Sequence, residues 1–423
     1  MSGISHNLHK KEEDRISQLR DDILISILDR LTIEEAIATS ILSTRWRYLH
    51  TYITHLEFVS YCDLEIERDI AHVLDSHRGD RVKLLKVELD SDKASFHKCL
   101  EFALTKEAEI VDMRNLSPHG GCLFPLTSNL NIIRLLHAGV ESLKDLTLSN
   151  VHVNDQDFDI LVSSSLALES LSIKSSYEHL KNVKIIGHPK LKHLGLSRVR
   201  TLKSIEIHDV IDLVSLKLCE LPRDCALQLS NIPNFIKLDF REFLYGDLQK
   251  KEFFARMPSC IRDQLQLFHY STSGFQINDY ELPFEFPSMK HLELTINVIR
   301  REPNFVHIVH PWMEACHSLE KLKIKLPTWW VTPHEKIEAS NAYRRLLQKK
   351  LSPKLEVEII GYLGSPDEVE LASYIINNAA SLQELTVVTA LDSRWKGYHI
   401  EFDRVRRDLH GIITPPEINI LVI

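Results

Sequence analysis

The chain has 423 residues, of which 44% are hydrophobic and 26% are charged, as in an ordinary globular protein. Its net charge is −8, from 51 Lys and Arg against 59 Asp and Glu. This balance argues against a nucleic-acid partner, because phosphate binding needs a clustered excess of cations. No apolar run approaches the about 20 residues of a membrane span, and Met1–Glu13 has no apolar signal-peptide region. We therefore expect no nucleic-acid or membrane partner and a location in the cytoplasm, the nucleus or both.

Cysteine and histidine residues are scattered and do not have metal-binding or redox spacings. The seven cysteines include no C-x-x-C pair, which is typical of free thiols in a reducing compartment. His307-x-x-His310 and His119-Gly-Gly-Cys122 come nearest to a metal-ligand pair, but neither has a third and fourth ligand nearby in the sequence. The sequence contains no phosphate-binding loop, nucleophile elbow or metalloprotease helix motif. It therefore predicts no metal, no cofactor and no catalytic residue.

Three short amphipathic patterns occupy the first part of the chain. The first predicts a helix that begins at Asp21 and Asp22, whose charges suit a helix N-terminus. Thr32 and Glu35 have the spacing of a capping box for a second helix, and Ser43 can cap a third. The apolar residues of the three helices include Ile23, Leu24, Ile27, Leu28, Leu31, Ala36, Ile37, Ile41, Trp46, Leu49 and Ile53. About forty residues are too few for an independent core, so we expect this segment to bind a partner protein.

The same residues carry a resemblance to a known family. The segment resembles the F-box of plant F-box/leucine-rich-repeat proteins, and it departs from that pattern at Arg20 and Thr32, where proline is usual, and at His50, where tryptophan is usual. The matching positions are Asp14, Arg15, Ile16, Ser17, Leu19, Asp21, Ile23, Leu24, Ile27, Leu28, Leu31, Ala36, Thr39, Ser40, Leu42, Ser43, Arg45, Trp46, Arg47 and Leu49. The resemblance implies that a Skp-type adaptor is bound by Leu19, Asp21, Ile23, Leu24, Ile27, Leu28, Leu42 and Trp46.

One phrase, L-x-x-L-x-L, recurs beyond this segment. Leu143, Leu168, Leu191, Leu213 and Phe235 begin copies that are 25, 23, 22 and 22 residues apart, and leucine-rich repeats have periods of roughly 20–29 residues. Further copies begin at Met289, Leu319 and Leu382, and weaker ones at Ile53, Val82, Ala108 and Leu265. The alternating apolar residues predict strands, and each unit needs neighbours to cover its apolar edges. The repeats therefore predict a curved solenoid of parallel strands.

Two regions depart from this rhythm. Leu202, Ile205 and Ile207 form a copy between two main strands, and we expect it to be extended chain on the opposite side of the solenoid. Near the C-terminus the pattern predicts a polar helix over Pro333–Leu351, a strand over Leu355–Tyr362, a helix over Pro366–Ala380 and a last strand over Leu382–Val387. These C-terminal residues resemble the FBD region of plant F-box/leucine-rich-repeat proteins, including the acidic helix start at Asp367, Glu368 and Glu370.

The sequence thus predicts an α/β protein with four parts. These are a disordered N-terminus (residues 1–12), a three-helix F-box (13–54), a curved leucine-rich-repeat solenoid of parallel strands (55–327) and a C-terminal FBD-like cap with the last repeat (328–423).

The resemblance implies the substrate-recognition subunit of an SCF-type ubiquitin ligase, not itself an enzyme, joined through a Skp-type adaptor to a cullin scaffold. The client protein would bind residues that flank the strand leucines. Because charges concentrate in the later strands, we expect an acidic or mixed-charge client segment at Lys237, Asp239, Arg241, His291, Glu293, Lys321, Lys323 and Lys325. Two alternatives remain open. One is a small-molecule co-receptor of the plant hormone-receptor type, and the other is a repeat scaffold that no longer assembles a ligase.

Overall fold

The computed structural model describes residues 16, 18–59, 64–89, 93–116, 122–123, 130–137, 140–176, 179–222, 224–241, 257–274, 282, 284–298, 305–327, 354–379, 381–389 and 419–422. Within these ranges an N-terminal helical unit (residues 16–54) precedes a long parallel sheet that carries helices and a second sheet. None of the helices in this part of the chain has the length and apolar character needed to cross a membrane.

The N-terminal helical unit begins with the two helices that the sequence predicts. α1 spans Asp21–Leu28 and α2 spans Ile33–Ala38. The capping box is confirmed, because the Glu35 amide donates to Thr32 Oγ1 (3.3 Å) and the Thr32 amide donates to Glu35 Oε2 (3.0 Å). Satisfying both amides fixes the chain direction between α1 and α2.

The third helix of the unit is a 3₁₀ helix over Trp46–Tyr52, preceded by a 3₁₀ turn at Thr39–Ile41. Ser43 Oγ accepts the Trp46 amide at 3.4 Å, as the sequence predicts. Trp46 and Leu49 are buried, as is Ile53 just beyond the helix.

The described strands are β1 His55–Val59, β2 Leu84–Leu89, β3 Ile110–Asn115, β4 Cys122–Leu123, β5 Asp145–Ser149, β6 Val151–His152, β7 Ser170–Lys174, β8 Asn182–Ile186, β9 His193–Ser197, β10 Ser204–His208, β11 Ser215–Cys219, β12 Ala226–Ser230, β13 Lys237–Arg241, β14 Leu267–Gly274, β15 His291–Val298, β16 Lys321–Lys325, β17 Leu355–Tyr362, β18 Leu382–Thr389 and β19 Asn419–Val422. Helices beyond α2 are Leu64–Ser76, Lys93–Thr105, Leu130–His137, Asp155–Ser164, Ser259–Gln264, Phe305–Ala315 and Pro366–Asn378.

One sheet contains 14 of these strands, in the order β1-β2-β3-β5-β7-β9-β11-β13-β14-β15-β16-β17-β18-β19. Every neighbouring pair is parallel. Each copy of the L-x-x-L-x-L phrase supplies a strand of this sheet, including the four weaker ones and excepting only the copy at Leu202. The prediction of a parallel-stranded repeat array is confirmed.

The leucines of successive strands lie in register and form apolar columns. Leu146 is paired with Leu171, which is paired in turn with Leu194, and the column continues through Leu216 to Leu238. All five side chains are buried, and the described core runs without a break from Leu24 to Val387. Each strand therefore depends on its neighbours for the burial of its apolar residues. The residues that flank the leucines point to the other side of the sheet, which we call the open face.

A second parallel sheet, in the order β12-β10-β8, covers part of the array away from the open face. Its central strand holds Ile205 and Ile207, which confirms the extended chain expected there. The two outer strands were not predicted. They have the same length and alternation as β10, with Val183 and Ile185 buried in β8 and Leu229 buried in β12.

Left-handed residues follow the strands at equivalent positions. Asn150, Ser175, Arg198 and Glu220, which follow β5, β7, β9 and β11, have φ between 53° and 57°. A non-glycine residue pays about 1–2 kcal/mol for this conformation. Each of their amides donates to a carbonyl of the next strand of the main sheet, at 2.7–2.8 Å. The backbone hydrogen bonding between strands thus extends one residue past each strand before the chain turns, which holds the turns in register.

A short polar network fixes the N-terminal helical unit to the first repeats. The nearly buried carboxylate of Asp29 accepts hydrogen bonds from the Thr54 amide (2.6 Å), the Thr54 hydroxyl (2.8 Å) and the His55 amide (3.2 Å). The carbonyl of Thr51 accepts the amides of Arg78 and Gly79. These bonds join the end of α1, the 3₁₀ helix and the first two strands, so the unit continues the repeat array as one packed body.

The C-terminal part of the chain continues the same sheet. The strand over Leu355–Tyr362 is confirmed, the predicted helix is found over Pro366–Asn378, and the last predicted strand extends to Thr389. The helix opens with a capping box between Ser365 and Glu368. β19 was not predicted, and the predicted helix over Pro333–Leu351 lies outside the described residues.

Buried His188 links two repeats through its neutral ring. Its Nε2 lies 3.1 Å from the Ser165 carbonyl, and its Nδ1 accepts the Leu191 amide at 3.1 Å. Protonation would place a hydrogen on Nδ1, against that amide. Burial lowers the pKa of His188, although the bond to Ser165 acts in the opposite direction.

We expect this site to make stability fall in mild acid. Below the unfolded histidine pKa of about 6.5, the unfolded chain takes up a proton that folded His188 resists, so the free energy of unfolding decreases as pH falls. His188→Gln should be less stable than wild type at pH 7.5, by about 1–3 kcal/mol, but should lose less stability between pH 7.5 and 5.5. Denaturation midpoints at both pH values measure this, with exposed His291→Gln as the control. An unchanged pH dependence in His188→Gln would contradict the assignment.

Candidate functional site

Exposed apolar residues concentrate at the N-terminal helical unit. Of the sixteen large apolar side chains that are exposed in the described ranges, ten lie between Ile16 and Tyr52. They are Ile16, Leu19, Ile23, Ile27, Leu31, Ile37, Ile41, Leu42, Tyr48 and Tyr52. A concentration of exposed apolar side chains is typical of protein-binding surfaces, and no comparable concentration is found elsewhere in the part of the chain that the structure describes.

α1 divides its apolar residues between two adjacent faces. Leu24 and Leu28, one turn apart, are 0% exposed and pack into the core. Ile23 and Ile27, also one turn apart, are 46% and 41% exposed. Because consecutive helix positions are turned about 100° from each other, neighbouring residues of similar chemistry face the core and the solvent respectively.

The eight residues predicted to bind an adaptor fall into three groups. The exposed side chains are Leu19, Ile23, Ile27 and Leu42, whereas Leu24, Leu28 and Trp46 lie inside the unit and hold its shape. Asp21 is exposed and forms an ion pair. Six further exposed apolar residues of the unit lie outside the predicted set, namely Ile16, Leu31, Ile37, Ile41, Tyr48 and Tyr52. Leu31 continues the spacing of Ile23 and Ile27 along the chain and could have been added on that signal.

Asp21 and Arg45 clamp the start of α1 to the segment before the 3₁₀ helix. The Arg45 guanidinium donates through Nε (2.9 Å) and Nη2 (2.6 Å) to one oxygen of Asp21. The same Nη2 donates to the Leu19 carbonyl at 2.5 Å. The clamp holds Leu19 and the start of α1 at a fixed position beside Leu42. Asp21 is therefore a positioning residue in this structure, whether or not a partner also contacts it.

Two of the three positions that depart from the F-box pattern are locally compatible with their residues. Thr32 is the N-cap of α2, and its hydroxyl and amide both take part in the capping box, which proline could not form. Arg20 is the N-cap of α1 with φ −67°, close to the φ that proline imposes. At the third position, partly buried His50, burial lowers the pKa of the imidazole and nearby His72 adds to the effect.

We expect Arg20→Pro to stabilise the N-terminal helical unit by about 0.4–1 kcal/mol, because φ already fits and the unfolded chain loses freedom. The substitution removes a salt bridge to Asp22 between two exposed side chains, which contributes little. Chemical denaturation and adaptor affinity both measure the effect, and Arg20→Ala controls for loss of the charge. Weaker adaptor binding by Arg20→Pro than by Arg20→Ala would contradict this account.

On the open face, most of the charges predicted to bind a client already form ion pairs within the protein. Lys323 lies 2.8 Å from Glu358, Lys321 lies 3.2 Å from Glu356, and Lys325 forms an ion pair with Glu293. Asp239 lies 3.4 Å from Lys217 and 3.3 Å from His269. The lysine stripe of β16 is therefore compensated by carboxylates on both neighbouring strands and is not a patch of free positive charge.

These ion pairs lie on β11 and on β13–β17, and we call them the ion-pair ladder. The pKa values of its carboxylates are shifted by their partners. Burial alone would raise the pKa of Asp239, but His269 and Lys217 outweigh it and hold the pKa below its usual value. The pKa of Glu293 is lowered in the same way, against the effect of burial, by Lys325, His269 and Lys323. Both carboxylates therefore remain charged at neutral pH, and the ladder is intact there.

Three residues of the predicted client set lie outside the ladder. The side chains of Lys237, Arg241 and His291 are exposed, and within the described ranges they have no ion pair and no hydrogen bond. The predicted set thus divides into five paired side chains on β13, β15 and β16 and three free ones.

The histidine pair that came nearest to a metal motif lies on the helix Phe305–Ala315. His310 Nδ1 is 2.6 Å from the hydroxyl of Tyr374, on the helix Pro366–Asn378. This contact ties two neighbouring helices together. In the described ranges no three His, Cys, Asp or Glu side chains are grouped so that they could hold a metal ion.

Comparison with known proteins agrees with these features. The putative FBD-associated F-box protein At5g22720 of Arabidopsis thaliana is 24% identical over 438 residues, covering 93% of this chain and 92% of the relative. The F-box/FBD/LRR-repeat protein At5g53840 from the same plant is 24% identical, covering 95% of this chain and 93% of the relative. For the putative F-box/FBD/LRR-repeat protein At2g05300 of Arabidopsis thaliana the identity is 27%, with 91% and 92% covered.

A family model described as "At1g61320/AtMIF1, LRR domain" matches residues 73–405, which is most of the chain. The chain belongs to this family of plant F-box/FBD/leucine-rich-repeat proteins. The matched residues run from the helix Leu64–Ser76 past β18, so they include the whole ion-pair ladder of this F-box/FBD/leucine-rich-repeat protein.

The ion-pair ladder can be tested by stability measurements, without a partner protein. In the registered sheet Lys323 lies between Glu293 on β15 and Glu358 on β17. We expect Lys323→Glu to destabilise the later repeats by about 1 kcal/mol, because it places like charges on adjacent strands. Adding Glu358→Lys should restore part of the loss, as measured by thermal or chemical denaturation at low salt. No recovery in the double variant would show that the pair does not couple.

Proposed function

We propose that the protein is the substrate-recognition subunit of an SCF-type ubiquitin ligase. The N-terminal helical unit would bind a Skp-type adaptor and, through it, a cullin scaffold, while the open face of the repeats binds a client protein. The observation that carries the proposal is the concentration of exposed apolar side chains on a unit that matches the F-box pattern. The relatives' names, which include F-box, FBD and LRR-repeat, support it.

The exposed apolar residues suit a stable protein contact. A specific interface buries on the order of 1,600 Å² in total, and a few central anchors provide most of the binding energy. Ile23 and Ile27 on α1, with Leu19 and Leu42 beside the Asp21–Arg45 clamp, are the anchors that we assign. The clamp pre-organises them, which reduces the entropy lost on binding.

The attachment of the F-box to the repeats supports a positioning role. The Asp29 carboxylate is bonded to Thr54 and His55 at the start of β1, and His77 Nε2 lies 2.9 Å from the Ile53 carbonyl. A client on the repeats would be held at a set distance from the adaptor, and fixed geometry raises the effective concentration of its lysines near the transferring enzyme. No catalytic residue of this chain is needed for such a role, and the cytoplasm and nucleus are the compartments that we propose.

The adaptor contact is tested by two matched double variants of α1. Ile23→Ala/Ile27→Ala removes exposed side chains, whereas Leu24→Ala/Leu28→Ala removes buried ones one position further along the same helix. The first should lower adaptor affinity by about 2 kcal/mol or more with no change in the melting of the repeats. The second should destabilise the F-box, since each buried leucine is worth about 2–5 kcal/mol.

Adaptor affinity is measured by co-purification and by titration of the full chain with the Skp-type adaptor. Normal binding by Ile23→Ala/Ile27→Ala would overturn the assignment of the contact. Complete failure of the wild-type chain to bind any Skp-type adaptor would favour the repeat scaffold without ligase assembly. Affinity purification with and without proteasome inhibition then tests for a cullin and for a client that accumulates with the inhibitor.

A further inference from the structure

The open face also contains charged side chains that the fold leaves without a partner. The carboxylates of Asp112 and Asp145 have neither an ion pair nor a hydrogen bond within the described ranges. Lys237 and Arg241 on β13 are likewise unpaired there. Ion pairs occupy the neighbouring positions on both sides, from Glu57–Lys86 and Glu88–Arg114 at one end to Lys323–Glu358 at the other. Within the described ranges Lys174 on β7 and His291 on β15 also lie outside these ion pairs, so the open face combines paired and unpaired charges.

The register places these free charges in three adjacent rows across the strands. The first row is Asp145, Ser170, His193, Ser215 and Lys237. The second is Asp112, Thr147, Ser172, Gly195 and the ion-paired Lys217 and Asp239, and the third runs from Arg114 through Ser149, Lys174, Ser197 and Cys219 to Arg241. In the first row an acidic side chain therefore lies on β5 and a basic one on β13, with Ser170, His193 and Ser215 between them. We call the part between the charges the shelf, defined by Thr147, Ser170, Ser172, His193, Gly195 and Ser215.

The shelf contains hydrogen-bonding groups. A Cβ atom at Gly195 would lie 3.0 Å from Ser172 Oγ, so the Ser172 side chain fills the space beside this buried glycine. Ser149 lies on the same face of β5 as Asp145 and Thr147, and its hydroxyl is buried with no hydrogen-bond partner in the described part of the chain. A buried hydroxyl without a partner costs free energy that a ligand's polar group would recover.

The half-buried carboxylate of Asp112 is a second polar group without a hydrogen-bond partner in the described ranges. One of its oxygens is shielded from solvent and accepts no hydrogen bond from described residues. Burial raises the pKa of Asp112, and Arg114 and Lys174 nearby oppose this only in part. A cation brought by a bound partner would supply the interaction that the fold does not.

We propose that the shelf binds an extended client segment that carries a basic side chain over Asp112 and Asp145 and an acidic side chain over Lys237 and Arg241. This inference rests on the proposed function, since it names the class of client for the open face. It also moves the centre of the client site toward the N-terminus, because the charges from Asp239 to Lys325 are mostly paired already.

The geometry sets the spacing of the two charges in the client. Asp145 on β5 and Lys237 on β13 are four strand steps apart, and at about 4.8 Å for each step the separation is about 19 Å. An extended chain covers that distance in about six residues, at about 3.3 Å per residue. The expected client segment therefore has Lys or Arg and Asp or Glu about five to seven positions apart.

The experiment selects binders from a displayed library of random decapeptides, using the full chain bound to the Skp-type adaptor. Selected peptides should carry opposite charges at the stated spacing in one sequence direction. The exchanged variant, with Asp112→Lys, Asp145→Lys, Lys237→Glu and Arg241→Glu, should select the opposite direction. For a peptide selected by wild type, Asp145→Asn and Lys237→Gln should each weaken binding about threefold to tenfold, and high salt should do the same.

Lys184→Glu/Glu206→Lys is the matched control, because it exchanges an exposed ion pair on β8 and β10 of the second sheet. It should select the same peptides as wild type. Peptides without the charge spacing, or binding that is indifferent to both Asp145→Asn and Lys237→Gln, would overturn the shelf assignment. The single variants serve this purpose even if the exchanged variant does not fold. Adaptor binding is measured on each preparation, so failure of the F-box assignment is seen separately.

Discussion

The whole structure depends on the burial of strand leucines by the neighbouring strands. No repeat can cover both of its own apolar edges, so the columns that run from Leu146 through Leu171 and Leu194 require parallel strands in strict register. Because successive residues of a strand point to opposite sides, the same register orders everything on the open face. The positions of the ion pairs, the free charges and the shelf therefore follow from the positions of the leucines beside them.

This constraint explains which elements could be predicted from the sequence. The strands that begin after anchors such as Leu143 and Leu319 follow directly from the L-x-x-L-x-L phrase. β19 has only four residues and no such anchor. β8 and β12 lie 22 residues before and after β10, which is the step of the main array, so they could have been predicted from Ile205 and Ile207. The 3₁₀ form of Trp46–Tyr52 could not be predicted, because seven residues are too few to distinguish its period from that of an α-helix.

The candidate site was harder to predict because it depends on differences between chemically similar residues. Ile23 and Leu24 are adjacent and equally apolar, yet one is exposed and the other lies in the core. The three lysines of β16 form a basic stripe in the sequence, but Glu356 and Glu358 on the next strand are more than thirty positions away along the chain. Their pairing follows only when the registers of β16 and β17 are known.

Paired and free charges on the open face have different consequences for binding. A client that contacts Lys323 or Glu358 must compete with an existing ion pair, and the desolvation of both groups offsets much of what it gains. A client that contacts Asp112 or Lys237 meets a charge with no partner to displace among the described residues. The ladder therefore leaves the later repeats charged and hydrated, and the proposed client site lies where unpaired charges remain. Attachment of the F-box to the repeats through Asp29 would hold that site at a fixed position relative to a bound adaptor.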